Sequence, residues 1–313
     1  MKRILWLTPV AILIGCGGGG GGGGSGSGGT SSAIQTVPFT SWSDIRPNTE
    51  IVAPAISTET SYTENLAGTI TSVGTFTSYS GVEFRETFGA DGSVNKASFT
   101  TGDNDRLIFD TAQGAIFAPI AGGFATATVN ADLSALAIAV EPVPQGWNYQ
   151  TFGVWSRDPS GSNPGRVGAI STGSFTATNN VPSTGTATFT GASAGLYSAP
   201  DGSTGGIVAA NMAMVVDFSS RVAGFATAGT TISRDGGQNF AAFSALDLTG
   251  SLQVVSGQNL MSGTVSTTAG SPVNLSGNIN GKFYGPNAQE VGGTFGLKGN
   301  GVEAYVGGFG GKR

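Results

Sequence analysis

The stretch GKFYGPNAQEVGGTF, residues 281–295, decides the fold, because it has the pattern of a strand, a tight turn and a second strand. From Val273 to Tyr284, apolar residues or glycine at odd positions alternate with mainly polar residues at even positions. This period of two places the two sets of side chains on opposite faces of an extended strand. The segment 285–287, Gly-Pro-Asn, is typical of a turn, because Pro fixes φ while Gly and Asn tolerate positive φ. The stretch therefore predicts a β-hairpin.

Similar alternation recurs throughout the C-terminal part of the chain, at intervals of roughly ten residues, as expected for an antiparallel barrel. It predicts a closed eight-stranded β-barrel in residues 182–313. A membrane-spanning barrel would show the same period. However, no aromatic girdle flanks each strand, and a lipid anchor would be redundant, so we expect a soluble barrel with a packed interior. The candidate strands are 185–190, 207–218, 222–227, 240–248, 251–255, 261–265, 273–284, 290–298 and 303–309.

The N-terminal part, residues 38–181, is also predicted to be rich in β-structure. Short β-prone segments between residues 68 and 175 are separated by turn signals such as Ala90-Asp91-Gly92. Residues 39–67 suggest an irregular entry containing Trp42, and Val181-Pro182 marks the predicted seam between two domains. The predicted fold class is therefore all-β.

The N-terminus has the pattern of a bacterial lipoprotein signal. Lys2 and Arg3 precede a short apolar run that ends in Leu-Ile-Gly-Cys at residues 13–16. We therefore expect residues 1–15 to be a signal peptide and Cys16 to be acylated. Residues 16–37 begin with a glycine tract, which predicts a flexible tether. Gly17 stands where the usual inner-membrane retention signal has Asp, which favours the outer membrane.

Composition excludes several function classes. The chain has no histidine, and Cys16 is its only cysteine, which rules out Ser–His triads, Cys–His dyads and histidine-ligated zinc or haem. The net charge of −5 argues against nucleic acid as a partner. We predict neither an enzyme nor a bound cofactor or metal. Two buried carboxylates facing each other across a cleft would reopen the case for an enzyme.

Four motifs carry a resemblance to a known family: GTATFTG at 185–191, GLY at 195–197, FYGPNAQEVGGTF at 283–295 and YVGGFGG at 305–311. In this order they resemble the β-barrel domain of transferrin-binding protein B and its relatives, which are bacterial surface lipoproteins. The resemblance implies a handle-like β domain before the barrel. It also implies that the chain is attached to the cell outer membrane by a lipid anchor and faces outward. This chain has one handle-plus-barrel unit, whereas transferrin-binding protein B has two.

By resemblance, the ligand would be a host protein or small solute of the transferrin, haem or haemoglobin type. The alternative is a structural or adhesive envelope lipoprotein with no dedicated ligand. The aromatic strand YQTFGVW, residues 149–155, and the loop after it are the best candidates for recognition, since aromatic residues and Arg are enriched at binding hot spots. The predicted ligand-binding residues are Trp147, Tyr149, Trp155, Arg157 and Asp158. Alternatively, the two tryptophans fill the domain interface.

Other candidates each have a simpler interpretation. Asp103-Asn104-Asp105 offers oxygen ligands for Ca²⁺ but is more typical of a polar turn. Lys282 is predicted to be solvated, and Asp235 to lie in a hairpin turn. Asp44 and Glu141 are isolated carboxylates without a visible partner. Three tyrosines could ligate haem iron, although aromatic packing is favoured: Tyr197, Tyr284 and Tyr305.

Overall fold

Two mainly antiparallel β-sheets account for most of the chain in the computed structural model, which describes residues 33–35, 47–120, 125–130, 134–160, 163–202 and 205–313. The predicted signal peptide, Cys16, the glycine tract, Trp42 and Asp44 lie outside the described residues. The strands are β1 (Ala33–Gln35), β2 (Glu50–Glu64), β3 (Ile70–Val73), β4 (Thr77–Phe88), β5 (Val94–Thr100), β6 (Arg106–Asp110), β7 (Ile116–Pro119), β8 (Ala125–Val129), β9 (Ala135–Val140), β10 (Gln150–Arg157), β11 (Gly165–Gly173), β12 (Thr186–Ser198), β13 (Gly205–Asp217), β14 (Val222–Ser233), β15 (Ala241–Ala242), β16 (Leu248–Val254), β17 (Met261–Thr267), β18 (Ser276–Tyr284), β19 (Glu290–Lys298) and β20 (Ala304–Lys312).

The first sheet, which we call the N-terminal sheet, contains β1 to β11. Its strand order is β6-β5-β4-β2-β11-β10-β9-β8-β7, with β1 and β3 pairing to β2. The two strands at its ends, β6 and β7, are consecutive in the chain and are joined through a 3-10 turn at Thr111–Gln113. Because this connection is short, the sheet must roll up until its ends approach each other. The only regular helix described is one turn, α1 (Pro142–Gln145), between β9 and β10.

The long strand β2 corrects the sequence prediction, which placed an irregular entry over residues 39–67. β2 has 15 residues and pairs with β4 on one side and β11 on the other. Its side chains are buried on both faces, so it lacks the alternation that reveals a half-exposed strand. It also contains Pro54, which is unusual in a central strand. A register shift between Ala55 and Ile56 accommodates this irregularity.

The second sheet is the predicted closed barrel. Eight antiparallel strands, β12 to β14 and β16 to β20, form it, and pairing of β13 with β14 completes the closure. Its interior is filled by buried apolar side chains such as Met214, Phe225, Phe295 and Phe309, each at most 2% exposed. The predicted strand 240–248 is wrong as one element, because Ala241–Ala242 and Leu248 pair but Ser244–Leu246 between them forms a 3-10 turn.

The hairpin predicted from residues 281–295 is confirmed. β18 pairs with β19 in antiparallel register, with Tyr284 opposite Glu290 and Phe283 opposite Val291. Within the turn, Gly285 has φ 81° and Ala288 has φ 56°. The sequence suggested Asn287 as the second residue with positive φ, but in the structure that residue is Ala288. Phe283 points into the barrel and is fully buried there.

The N-terminal sheet packs against the outside of the barrel through β2, β10 and β11. Phe152 and Val154 of β10 share a buried cluster with Leu196 and Val306 of the barrel. Glycines on β20 allow this approach, since a Cβ at Gly308 would lie 2.6 Å from the Phe152 ring. The buried Glu290 carboxylate accepts hydrogen bonds from three successive backbone N–H groups, at residues 148–150, over 2.6 to 3.1 Å. No helix in the described part of the chain is long and apolar enough to span a membrane.

Candidate functional site

A cavity of about 530 Å³ lies on the concave face of the N-terminal sheet. Side chains from both end strands line it, Phe109 of β6 and Phe117 of β7, so the rolled sheet surrounds it. The opposite face of the same sheet carries the cluster that packs on the barrel. Ser93 and Val143 are exposed lining residues, and they mark the rim through which solvent reaches the interior.

The cavity wall is aromatic and acidic. Small residues such as Ala97 and Ala137 leave the central space open, and both are partly solvent-accessible. The charged lining residues are Glu86 and Glu141, and no lysine or arginine is among the described residues that line the cavity. Apart from Phe152, whose ring packs in the cluster against the barrel, the aromatic lining residues are Phe84, Phe88, Phe99, Phe109, Phe117 and Trp155.

Glu86 lies where the alternation of β4 calls for an apolar residue. Its neighbours on the same face of β4 are Phe84 and Phe88, and its cross-strand partners are Ile51 on β2 and Ala97 on β5. Burial in these apolar surroundings and, to a smaller extent, the negative charge of Glu141 together raise the pKa of the Glu86 carboxyl to about 8. Its carboxyl is thus largely protonated at neutral pH.

Polar groups in the cavity wall are incompletely satisfied. The Glu141 carboxylate accepts a hydrogen bond from Thr126 Oγ1 at 2.6 Å. Within the described chain, the buried atoms Thr128 Oγ1 and Trp155 Nε1 have no hydrogen-bond partner. Buried polar atoms are almost always hydrogen-bonded, so these two are exceptions, but both are closed off within the wall and not open to the cavity.

The five predicted ligand-binding residues do not form one site. Trp147 is buried between the N-terminal sheet and the barrel, with its ring centroid 5.9 Å from that of Phe152. The Tyr149 ring packs over Gly285, in the turn between β18 and β19. A Cβ at Gly285 would lie 2.6 Å from Cδ2 of Tyr149. For Trp147, the geometry matches the alternative interpretation, that it fills the domain interface.

Trp155 lies on the opposite face of β10 and lines the cavity. Arg157, two residues further on, forms ion pairs with Asp103 and Asp105 in the loop between β5 and β6. Asp158 follows the end of the strand and lies near Glu64. Burial raises the pKa of Glu64 to about 7, and the negative charge of Asp158 makes a smaller contribution. Ligand binding by these residues stays a prediction, and the structure brings only Trp155 to the cavity.

The segment Asp103-Asn104-Asp105 forms a turn with an ion-pair network. Asp103 contacts Arg166 at 3.0 Å, and Arg166 contacts the buried Glu59 at 2.7 Å. These carboxylates therefore have arginine partners, which fits the polar-turn interpretation better than a Ca²⁺ loop. The described residues contain no group of three or more acidic or cysteine side chains placed to hold a metal ion.

The remaining candidates have structural surroundings. Tyr284 and Tyr305 are fully buried, and the Tyr284 hydroxyl hydrogen-bonds Ser171 at 2.7 Å. The Tyr197 hydroxyl donates a hydrogen bond to Glu303 at 2.7 Å. All three tyrosines are buried, which agrees with aromatic packing. Asp235 caps its turn by accepting from Ser233 Oγ at 2.7 Å. The prediction that Lys282 is solvated is wrong, because its half-buried amine donates a hydrogen bond to the Asn259 carbonyl at 2.6 Å.

The sequence carries a signal for Glu86 that lies outside the motifs considered above. In the series Val82, Phe84, Glu86 and Phe88, one carboxylate interrupts the apolar face of a strand. A charge on a core-facing position needs a partner or a function. Glu141, dismissed as isolated, belongs to the same site because β9 ends beside β8 and its Thr126.

A comparison with protein families matches residues 181–313 to the family described as the C-lobe and N-lobe beta barrels of Tf-binding protein B. The barrel is similar to those of transferrin-binding protein B. This confirms the resemblance inferred from the four motifs. The match covers fewer than half of the 313 residues and excludes the N-terminal sheet with its cavity. A comparison with curated proteins found no match.

Solved structures of transferrin-binding protein B align with the chain at low identity. The Haemophilus parasuis Hp5 protein, in a mutant form, is 16% identical with a TM-score of 0.41, covering 75% of this chain and 54% of that one. The Neisseria meningitidis serogroup B protein is 17% identical with a TM-score of 0.39, covering 75% and 52%. A mutant from Actinobacillus pleuropneumoniae H49 is 12% identical with a TM-score of 0.43, covering 83% and 99%. The chain thus spans about half the length of the first two relatives.

Proposed function

We propose that this chain is a non-catalytic binding lipoprotein that captures a small, largely apolar ligand in the cavity of the N-terminal sheet. The observation that supports it is the mainly aromatic cavity of about 530 Å³, which is lined by two ionisable residues, Glu86 and Glu141. Ligand sites are usually concave, mostly apolar and roughly 300 to 1,000 Å³ in volume, with a few polar groups that orient the ligand. In the barrel, by contrast, the described interior is filled by apolar side chains.

The anchoring part of the proposal rests on the sequence. Acylation of Cys16 would attach the chain to the outer membrane, and the glycine tract would hold the folded part away from the lipid surface. The division into a handle-like domain, residues 38–181, and a barrel domain, residues 182–313, is part of the same proposal. We propose that the chain faces outward, as expected of a protein that captures an external ligand.

Two alternatives for the cavity are less well supported. Haem needs an iron ligand, and the described lining residues include no histidine, cysteine, methionine or tyrosine. Glu86 and Glu141 share one cleft, which is the arrangement that would reopen the case for a glycoside hydrolase. However, the wall between them is mainly aromatic and aliphatic, with few groups to hold sugar hydroxyls. We therefore propose binding without bond chemistry.

The family match in the barrel favours a second candidate function, which is binding of transferrin. A protein ligand would contact surface loops and would not enter the cavity. The two candidates therefore differ in one respect, which is whether closing the cavity abolishes binding.

A cavity-filling variant separates the two candidates. Ala137→Phe places a ring in the partly accessible space, and Ala213→Phe makes the same change on the exposed outer face of β13. N-phenyl-1-naphthylamine, an uncharged apolar fluorophore, is titrated into each purified chain and the wild type, and each is also tested on immobilised transferrin. We expect one saturable fluorophore site in the wild type and Ala213→Phe, and affinity at least about tenfold weaker in Ala137→Phe.

Each outcome decides between the candidates. Absence of fluorophore binding to the folded wild type, or unchanged binding in Ala137→Phe, would overturn the cavity proposal. Retention on transferrin by all three chains would establish the second candidate, because filling the cavity leaves the outer surface intact.

A further inference from the structure

We propose that the cavity selects a cationic ligand, in which an apolar body carries an ammonium or similar group that lies against Glu86. This inference rests on the proposed function, since it names the ligand class of the same cavity. It is carried by the position of Glu86, by the absence of basic residues from the described lining and by the aromatic rings around it.

The charge of the wall favours a cation. Glu86 and Glu141 are the two ionisable residues among the described lining residues, and both are acidic. Six aromatic side chains share the wall, and the face of an aromatic ring attracts a cation with about 0.5 to 2 kcal/mol. An anion would meet carboxylates and negative ring faces, so the wall discriminates against it.

The basic residues near Glu86 have other partners and lie on other faces. Arg85, its neighbour on β4, contacts Glu83 at 2.7 Å and Glu50 at 3.6 Å. Lys96 of β5 contacts Asp110 at 3.1 Å. No hydrogen bond or ion pair to the Glu86 carboxyl is formed within the described chain. A carboxylate in apolar surroundings is unfavourable without a cation or donors, and here the ligand would supply them.

The free protein compensates by holding a proton on Glu86, whose pKa burial and Glu141 raise to about 8. A bound cation would replace that proton, because an adjacent positive charge favours the carboxylate. Below pH 8, binding therefore releases a proton and becomes weaker as the pH falls. Glu86 and Glu141 are the titratable groups that line the cavity in the described chain, so the pH dependence originates from this pair.

Three probes with one apolar chain and different head groups test the inference: octyltrimethylammonium, 1-octanol and octanoate. Calorimetric titrations at pH 8 compare the wild type with Glu86→Gln, which removes the charge and keeps the shape. Glu83→Gln is the matched control, because Glu83 lies on the other face of β4 and pairs with Arg85. We expect the wild type and Glu83→Gln to bind the cation at least about tenfold more tightly than octanol, and octanoate least.

In Glu86→Gln, we expect the preference for the cation to fall by about tenfold while octanol binding changes less than about twofold. From pH 6 to pH 9, cation affinity should rise in the wild type and stay more nearly constant in Glu86→Gln. Trimethylammonium does not titrate, so such a rise reports the protein. Equal binding of all three probes would overturn the cationic preference and leave the proposed function standing. Binding of none of them by the folded wild type would overturn both.

Discussion

The barrel and the N-terminal sheet are both rolled antiparallel sheets, yet the barrel is filled and the N-terminal sheet is hollow. In the barrel, alternate strand positions carry large apolar residues such as Met214, Phe225 and Phe309, and these meet at the centre. On the concave face of the N-terminal sheet, Ala97 and Ala137 leave the space between the aromatic residues open. Alternation therefore determines which face of a strand is inside, while side-chain volume decides whether the inside is packed.

The difference has a functional meaning. A packed interior contributes free energy of folding but cannot admit a ligand, whereas a hollow interior leaves apolar surface and polar atoms to be covered by another molecule. In this chain, the part matched by the family is the packed one. The part with the cavity is where we propose that the ligand is held.

Removing one aromatic ring from each interior should give the largest contrast. Phe309→Ala takes a fully buried ring from the barrel, and we expect it to lower the free energy of unfolding by about 3 to 5 kcal/mol. Phe84→Ala removes a ring that already borders a void, and we expect roughly half that loss. Urea denaturation monitored by circular dichroism measures both. Equal losses would show that the cavity is collapsed in solution.

Adding atoms to each interior should have a smaller effect that differs between the two sheets. Ala223 is fully buried in the barrel, so Ala223→Leu should overpack it and destabilise the chain by about 1 to 3 kcal/mol. Ala137→Leu extends into the cavity, and we expect stability to change by less than about 1 kcal/mol. Thermal unfolding of the two variants and the wild type measures this. A similar loss in Ala137→Leu would contradict an open cavity.

The last prediction concerns a direction, namely how the stability difference between two chains changes with pH. Because the folded chain raises the pKa of Glu86 from 4.5 to about 8, the bound proton stabilises the fold at low pH, and this stabilisation is lost as the pH rises through that range. Gln cannot lose a proton. Glu86→Gln should therefore become steadily more stable relative to the wild type as the pH rises from 5 to 8. Unfolding of both chains at pH 5, 6, 7 and 8 measures the difference, and Glu83→Gln serves as the control.

The barrel could be predicted from the sequence, because its strands are buried on one face and so alternate, as in the series Val273 to Phe283. The strand β2 could not, since neighbours cover both its faces and its polar residues Thr58 and Glu59 are buried as well. Thr58 hydrogen-bonds Thr294 of the barrel at 2.8 Å, a contact between residues 236 positions apart that no local pattern records.

The cavity could not be predicted from the sequence either, although the sequence analysis names one of its lining residues, Trp155, as a recognition residue. The strand 149–155 was chosen for its aromatic content, but its residues lie on two faces, with Phe152 against the barrel and Trp155 toward the cavity. Which aromatic residues share a space depends on how the sheet rolls. That in turn depends on pairings such as β2 with β11, between residues more than a hundred positions apart.

Those distant pairings also govern how fast the chain can fold. The barrel closes only when β20 lies between β12 and β19, and the N-terminal sheet is completed only when β11 reaches β2. Sheets dominated by contacts between distant residues fold slowly, in milliseconds to seconds, because the intervening chain must first be ordered. If the chain is exported to the outer membrane as proposed, slow folding would be an advantage, because it would leave time for transport before the sheets close.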